Sequence, residues 1–169
     1  MELRILCRTQ MVRLGRAIAS CLKEGDWLFV EGPLGVGKTF LIRGIARGLG
    51  VPLEVPIQSP TFALIHEYAA RVRIVHVDAY RIGSKEEFIQ TGVLDRAEGA
   101  VVVAEWALGV AKGLVSDGLL CDLSFEGKKR RAVFCGLGPR GEALLQDLDR
   151  ALRAEFHHKR LVLGRSFGH

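Results

Sequence analysis

The stretch that most constrains the fold of this 169-residue chain is residues 32–39, which read Gly-Pro-Leu-Gly-Val-Gly-Lys-Thr. They follow an apolar run at residues 27–30 and lead into residues 40–49, a segment compatible with a helix. This order of strand, glycine-rich loop and helix is the context that the pattern G-x-x-x-x-G-K-[ST] requires. The sequence therefore predicts a P-loop that binds nucleotide phosphates, in preference to a plain glycine-rich turn with a solvated lysine.

The residue types of this loop suit a polyphosphate. Glycines let the backbone wrap closely around an anion, so that successive N–H groups point at it. Lys38 adds a point charge for the β- and γ-phosphates, and the Thr39 hydroxyl is a hard oxygen ligand for Mg²⁺. The following helix presents its positive end to the same phosphates. The residues expected to contact the nucleotide here are Gly35, Val36, Gly37, Lys38 and Thr39.

Composition is that of an ordinary folded domain, with 49% hydrophobic and 25% charged residues. The length fits one domain, which we place at residues 1–155, followed by a flexible basic tail at residues 156–169. Glycine and charge interrupt every apolar run before it reaches the length of a membrane span. No apolar signal-peptide core follows Met1, so we expect a cytoplasmic protein without a membrane partner.

The net charge of +5 makes contact with an anionic partner conceivable. The basic residues cluster at positions 128–131 and 157–160. Solvated surface is the commoner use of such clusters, and no aromatic residues alternate with them to make a stacking platform for single-stranded nucleic acid. The four cysteines lack metal-site spacing and are expected to be free thiols.

The apolar pattern predicts an α/β fold with a mixed, largely parallel central sheet flanked by helices. Residues 63–68 and 73–80 are separated by too short a gap for a crossover helix, so they should form an antiparallel hairpin. The continuous apolar run at residues 100–104 suits a buried parallel strand. Residues 119–125 and 131–135 form two more strands before a closing helix. A first helix is expected from an N-cap at Thr9, and another short helix from Ser84 to about Gly92.

Two carboxylates follow strands at the positions where open α/β sheets place ligand groups. Asp78 ends the run at residues 74–77, and Glu105 ends the run at residues 101–104. One carboxylate can serve Mg²⁺ while the other positions water, and the sequence leaves open which does which. Thr61, in the loop after the second helix, is either a γ-phosphate sensor or a turn residue. His76 is expected to be a structural histidine at the sheet surface.

Four ordered motifs together resemble the bacterial TsaE family, the ATPase component of tRNA threonylcarbamoyladenosine biosynthesis. They are the loop at residues 32–39, Ser-Pro-Thr-Phe at 59–62, His-Val-Asp-Ala-Tyr-Arg at 76–81 and Glu-Trp at 105–106. Three positions depart from the family pattern. Pro33 replaces Asp or Asn, Phe40 replaces a second Thr, and Ala107 replaces Pro.

The resemblance implies a weak Mg²⁺-dependent ATPase that works with the proteins TsaB and TsaD and meets tRNA only through that complex. By position, Thr39 and Glu105 resemble the Mg²⁺ site, and Asp78 resembles the Walker-B-type acid. Trp106 resembles a nucleotide-proximal tryptophan, although core packing is the commoner use of that residue type. Thr61 belongs to the switch-like loop. Phe40 keeps the backbone N–H expected near the α-phosphate.

The expected catalytic residues are Lys38, Thr61, Asp78 and Glu105. Because no arginine within the motifs is an evident arginine finger, hydrolysis by the chain alone should be slow and stimulated by partners. Two alternatives use the same loop. A small-molecule kinase would need an acceptor pocket and an arginine-bearing lid, and a nucleotide-dependent RNA-binding module would use the basic clusters.

Overall fold

A computed structural model of the protein describes residues 1–158, which form one seven-stranded sheet and six helices. The strands are β1 (Glu2–Ile5), β2 (Trp27–Glu31), β3 (Ile65–Tyr68), β4 (Arg73–Asp78), β5 (Ala100–Glu105), β6 (Gly118–Glu126) and β7 (Lys129–Leu137). The helices are α1 (Arg8–Cys21), α2 (Lys38–Gly48), α3 (Lys85–Gln90), α4 (Val93–Arg96), α5 (Leu108–Ala111) and α6 (Gly138–His158).

The sheet is mixed, with strand order β1-β7-β6-β2-β5-β4-β3. Parallel pairing joins the four central strands β6, β2, β5 and β4. Antiparallel pairing occurs toward the edges, where the hairpins β3–β4 and β6–β7 form as the sequence predicts and β1 joins β7. The α/β class and the mixed sheet are confirmed, with the P-loop strand β2 at the centre.

The central strands are apolar throughout because both faces of the sheet are covered. Alternate residues of β2 and β5 enter two hydrophobic clusters. Leu28 and Val103 pack with α1, α2 and α6 on one face. Phe29 and Val102 pack with the short helices α3, α4 and α5 on the other face. The two-residue period of a strand therefore decides which end-of-strand side chains share a face with the P-loop helix α2.

Three local expectations differ from the structure. The first helix is capped at Cys7, not Thr9, because Cys7 is the last extended residue and the Gln10 side chain accepts the Leu6 N–H at 2.7 Å. The helix predicted from Ser84 to about Gly92 is confirmed as α3, which is capped by Ser84, but the separate helix α4 that begins after Gly92, where φ is 71°, was not predicted. The helix α5 was not predicted, because its four residues are too few to show a helical pattern of apolar residues.

The expected tail overlaps the end of the closing helix, because α6 continues through His158. The remainder of the tail, residues 159–169, lies outside the described residues. Within residues 1–158 we find no helix that combines the length and the apolar character needed to cross a membrane.

Helices α1 and α2 approach so closely that only glycine fits at their crossing. A Cβ atom at Gly15 would lie 2.3 Å from the Leu41 carbonyl oxygen, and one at Gly44 would lie 2.3 Å from the Val12 carbonyl oxygen. Both clashes are with backbone atoms, so a side-chain rearrangement cannot relieve them. This contact holds the helix that follows the P-loop against the core.

We expect Gly15→Ala to lower the free energy of unfolding by about 3 kcal/mol, because the added methyl group forces the two helices apart. Chemical denaturation of the two proteins measures the difference. Gly109→Ala is the matched control. A Cβ atom there meets no atom of another element within 4 Å in the described part of the chain, and alanine favours the helical conformation, so the stability of this variant should be unchanged or slightly higher. Equal stabilities of the Gly15→Ala and Gly109→Ala variants would contradict the close-approach interpretation.

Candidate nucleotide site

The loop between β2 and α2 has the backbone conformation that its glycines predict. Gly32, Gly35 and Gly37 all have positive φ angles, of 131°, 76° and 119°. Within residues 1–158, no atom beyond the adjacent residues lies within 4 Å of the position that a Cβ would take at Gly35, so this side of the loop is open. The Pro33 carbonyl oxygen accepts a hydrogen bond from Lys38 Nζ at 3.2 Å, which shows that proline is compatible with this loop.

Lys38 lies inside the loop and is only 6% exposed. Its Nζ also donates to the Gly32 carbonyl oxygen at 2.8 Å and stands 4.0 Å from the centre of the Trp106 ring. Burial lowers the pKa of Lys38, and the nearby carboxylates Glu105, Asp78 and Glu31 act in the opposite direction. The loop therefore encloses a desolvated cation that faces carboxylates at the ends of three neighbouring strands.

Strand register brings the two predicted carboxylates together. Asp78 of β4 pairs with Glu105 of β5, and Glu105 pairs in turn with Val30 of β2. Asp78 and Glu105 are 4% and 2% exposed. By the two-residue period, both share the sheet face of Ile74 and Val103, which is the face covered by α2. The side chains thus converge below the start of the P-loop helix.

His76 is fully buried and does not lie at the sheet surface, contrary to expectation. Its Nε2 is 2.9 Å from Glu105 Oε1, whereas Nδ1 has no hydrogen-bond partner in the part of the chain that the structure describes. The sequence could not show this contact, because it depends on the register of β4 against β5. The histidine fixes one oxygen of Glu105.

Asp78 connects the site to the loop that carries Thr61. Its Oδ2 accepts hydrogen bonds from Ser59 Oγ at 2.6 Å and from Thr61 Oγ1 at 3.1 Å. Its Oδ1 accepts the Tyr80 N–H at 3.0 Å. Both hydroxyls of the switch-like loop are therefore tied to the end of β4. Ser59 had no predicted role, although its place beside Pro60 and Thr61 in the sequence was the available signal.

Trp106 turns the chain at the end of β5. It has a φ of 60°, a backbone conformation that is uncommon for a large side chain. Its half-buried ring contacts Lys38 Nζ and meets the Tyr80 ring edge-on at 5.2 Å between centroids. The tryptophan thus packs against the P-loop lysine and not in either hydrophobic cluster.

Glu31 is a carboxylate that the sequence analysis missed. It ends β2 directly before the P-loop and accepts the Leu108 N–H at 2.9 Å. Burial is the main cause that raises its pKa, and the hydrogen bond and the Lys38 charge counteract part of that effect. Its position after the apolar run at residues 27–30 was the signal that could have identified it.

The two arginines of the basic cluster at residues 128–131 make contacts within the protein. Arg130 Nε donates to the Val36 carbonyl oxygen of the P-loop at 2.9 Å. Arg131 Nη2 forms an ion pair with Glu2 at 2.8 Å, across the β1–β7 pairing. Of these two arginines, Arg131 is the one whose charge is paired with a carboxylate, whereas Arg130 keeps its full positive charge.

The oxygen atoms of Thr39, Asp78 and Glu105 are suited to a Mg²⁺ ion that is bound together with a nucleotide. They are less suited to a metal ion that the protein holds by itself. Within residues 1–158, no three His, Cys, Asp or Glu side chains group closely enough to hold a metal by themselves. Mg²⁺ usually takes one or two protein oxygens, with waters and substrate phosphates completing its shell. The first turn of α2 supplies the Thr39 hydroxyl, and β4 and β5 supply Asp78 and Glu105.

Comparison with known proteins agrees with this architecture. A crystal structure of Bacillus subtilis YdiB matches with a TM-score of 0.73 and 27% sequence identity, covering 89% of this chain and 94% of that chain. The tRNA threonylcarbamoyladenosine biosynthesis protein TsaE of Bacillus subtilis strain 168 is 34% identical over 139 residues, which are 81% of this chain and 86% of that protein.

A second relative, the TsaE protein of Treponema pallidum strain Nichols, is 39% identical over 103 residues, covering 60% of this chain and 75% of that protein. The family model described as "Threonylcarbamoyl adenosine biosynthesis protein TsaE" matches residues 7–133, which include the P-loop, Thr61, Asp78, Glu105 and Trp106. The chain belongs to the TsaE family.

Proposed function

We propose that this protein binds ATP with Mg²⁺ and hydrolyses it in support of tRNA threonylcarbamoyladenosine modification. The observation that carries the proposal is the buried Lys38 ammonium inside a glycine-rich loop, opposite carboxylates at the ends of β2, β4 and β5. A desolvated cation beside open backbone N–H groups is a site for a polyphosphate. The printed names of the TsaE relatives supply the pathway.

The residues of the site would act mainly by position and charge. Backbone N–H groups of the loop and Lys38 would bind the β- and γ-phosphates. Thr39 and Glu105 would hold Mg²⁺, which supplies neutralisation of charge on the phosphate oxygens when it is bound. Asp78 and the hydroxyl of Thr61 would orient the attacking water. Trp106 would shield Lys38 from bulk water on the side away from the loop.

The hydrogen bonds favour Glu105 over Asp78 as the direct Mg²⁺ ligand. Both oxygens of Asp78 already accept hydrogen bonds, from two hydroxyls and one N–H. Glu105 uses Oε1 for His76, and Oε2 has no hydrogen bond within the described part of the chain. A carboxylate oxygen that accepts no hydrogen bond from the protein is the better ligand for a hard cation, so we assign Mg²⁺ to Glu105. To Asp78 we assign the orientation of the attacking water and of the loop that carries Thr61.

Partner proteins would stimulate ATP hydrolysis, because no arginine within the motifs is an evident arginine finger. Large apolar side chains are exposed on the loops around the site, where Leu34 is 68%, Phe62 is 89% and Tyr80 is 54% exposed. Exposed apolar groups at a functional site commonly mark a protein-binding surface. In the proposed function, TsaB and TsaD are these partners, and tRNA meets this protein through their complex.

The test is a reconstituted reaction that contains TsaB, TsaD, tRNA and a threonylcarbamoyl donor. We expect this protein to raise the amount of modified adenosine formed per TsaD, measured by mass spectrometry of tRNA digests, and the increase to require hydrolysable ATP. Equal product with and without this protein under multiple-turnover conditions would contradict the role in modification. Phosphorylation of an added nucleoside faster than plain hydrolysis would favour a kinase instead.

Asp78→Asn is expected to slow ATP hydrolysis by about 10- to 100-fold, because the amide removes the negative charge and loosens the hold on Ser59 and Thr61. Steady-state ATPase assays in the presence of the partners measure the change. Glu67→Gln is a matched control in the same hairpin, since Glu67 pairs with Arg73 at the surface. A full-rate Asp78→Asn enzyme would show that this carboxylate only supports the fold.

A further inference from the structure

Helices α1 and α2 concentrate the positive charge of this protein. Together they carry six Lys or Arg residues and no Asp or Glu, which is a formal charge of +6. The rest of residues 1–158 carries 15 Lys or Arg and 19 Asp or Glu, which is a formal charge of −4. The charge of the described chain is therefore distributed asymmetrically, with its excess of cations on one pair of packed helices.

Two of these six cations make their contacts inside the protein. Lys38 is buried in the P-loop. Arg47 donates to the Val51 carbonyl oxygen at 3.1 Å and to the Val55 carbonyl oxygen at 2.6 Å, and so fixes the loop that follows α2. The other four cations are exposed side chains, namely Arg8, Arg13, Arg16 and Arg43. Within residues 1–158, none of these four has a hydrogen-bond or ion-pair partner.

The four exposed arginines form one continuous surface, which we call the arginine face. Arg8 of α1 and Arg43 of α2 both stand over the Phe40 ring, at 5.1 and 5.4 Å from its centre. Arg13 and Arg16 both line a groove of about 340 Å³ between α1 and α6. The helical period places Arg16 between Arg8 and Arg13 around the axis of α1, so these three share one side of the helix.

The arginine face lacks the apolar anchors of a protein–protein interface. The exposed large hydrophobic residues of the described chain, such as Leu34 and Phe62, all lie outside α1 and α2, and Phe40 is half-buried. Protein interfaces are centred on desolvated apolar anchors, whereas contact with a nucleic-acid backbone depends on cations that neutralise phosphates. Arginine suits that contact, because its planar guanidinium can donate two parallel hydrogen bonds to phosphate oxygens. The chemistry of this face therefore fits a phosphate backbone better than a protein surface.

We infer that the arginine face binds the phosphate backbone of a folded RNA. The names of the TsaE relatives indicate tRNA as that RNA. The inference goes beyond the proposed function, in which tRNA meets this protein through the partner complex, because it gives this chain a direct contact of its own. Phosphate contacts fix the position of a nucleic acid and do not read its sequence. The face therefore orients tRNA and leaves recognition of the adenosine to other proteins.

The test measures binding of fluorescently labelled tRNA to the full chain without nucleotide, by fluorescence anisotropy between about 50 and 200 mM salt. We expect the logarithm of the association constant to fall linearly with the logarithm of the salt concentration. The double variant Arg13→Gln/Arg16→Gln should bind tRNA at least about tenfold more weakly at the lowest salt concentration. Its salt slope should be smaller by about two, because two phosphate contacts are lost.

Arg150→Gln/Arg153→Gln is the matched control, because it removes the same formal charge from two exposed arginines of α6. Arg150 pairs with Asp147, and Arg153 pairs with Asp149. We expect this variant to bind tRNA within about twofold of the wild type and with the same salt slope. Both double variants should bind an ATP analogue as the wild type does, since none of the four substituted arginines belongs to the nucleotide site. That measurement also shows that the variants are folded.

Three results would overturn the arginine face as an RNA site. One is a wild-type chain without salt-dependent tRNA binding. Another is full tRNA binding by Arg13→Gln/Arg16→Gln, which would place the RNA elsewhere, such as at residues 128–131. The third is displacement of tRNA by polyglutamate as effectively as by unlabelled tRNA of the same total charge, which would assign the face to an acidic protein.

We expect polyglutamate to compete at least about tenfold less well than tRNA, because the dense phosphate charge of RNA releases more counterions on binding. The proposed function is tested separately, since the tRNA measurement contains no nucleotide. A wild-type chain that binds tRNA through the arginine face but binds no ATP would contradict the proposed function and support this inference. A chain that binds ATP but no tRNA would do the reverse.

Discussion

Lys38→Met is expected to lower the affinity for ATP by at least about 100-fold, or about 3 kcal/mol, while the unliganded protein becomes no less stable. The loss follows because the variant has no cation for the β- and γ-phosphates. Stability is retained because burial disfavours the charged form of Lys38 and lowers its pKa from the ordinary 10.5. Calorimetric titration with a non-hydrolysable ATP analogue and thermal unfolding without ligand measure the two effects.

The same pKa shift gives the sign of a pH effect. A lysine whose pKa is lower in the folded state releases its proton more readily there, so the unfolded chain binds more protons between the two pKa values. The free-energy cost of burying the charged Lys38 ammonium is fully present below the folded-state pKa. This cost is relieved as the pH rises toward 10.5, the ordinary pKa of lysine. The stability of the wild type should therefore rise relative to Lys38→Met in that alkaline range.

Lys23→Met is the control, since Lys23 is an exposed residue of the turn before β2. It should bind the ATP analogue as the wild type does. An unchanged ATP affinity of Lys38→Met would contradict the assignment of the loop as the phosphate site. A large loss of stability would instead mean that Lys38 mainly holds the loop carbonyls of Gly32 and Pro33.

Glu105→Gln is expected to reduce partner-stimulated hydrolysis by about 100- to 1,000-fold, with the affinity for ATP within about fivefold of the wild type. Glutamine keeps the shape of the side chain and can still accept the hydrogen bond from His76, so the fold around β5 should survive. The substitution removes the negative charge of the carboxylate that we propose as a Mg²⁺ ligand. Hydrolysis measured over a range of Mg²⁺ concentrations should show a higher Mg²⁺ requirement.

The matched control is Glu126→Gln, because Glu126 makes a partly exposed ion pair with Arg4 at the tip of the β6–β7 hairpin. Its hydrolysis rate and Mg²⁺ requirement should equal those of the wild type. If Glu105→Gln hydrolysed ATP at the wild-type rate with an unchanged Mg²⁺ requirement, Glu105 would have no part in the metal site. The role of direct ligand would then pass to Asp78.

Sequence patterns predict the central part of this fold because its constraints are local. The P-loop at residues 32–39 has an obligatory strand before it and a helix after it, and both are present. The apolar run at residues 100–104 has no polar alternation and therefore indicates burial on both faces, and it forms β5, the neighbour of the central strand β2. Carboxylates after such strands are brought to one edge by parallel pairing, which explains why Asp78 and Glu105 converge.

The parts that the sequence could not predict depend on contacts between distant residues. The hydrogen bond of Arg130 to Val36 joins positions 94 residues apart, and no local pattern encodes it. The His76–Glu105 contact follows from strand register, so a polar residue within an apolar run was read as lying at the surface. The short helices α4 and α5 have four residues each, too few to show a helical period.

The most direct measurement of the central claim is the ATPase rate of this protein alone and with purified TsaB and TsaD, at saturating Mg²⁺ and ATP. We expect slow hydrolysis by the protein alone and at least about tenfold stimulation by the two partners together, with the stimulated rate lost in Glu105→Gln. Hydrolysis that neither partner changes, or that persists at full rate in Glu105→Gln, would contradict the proposed function.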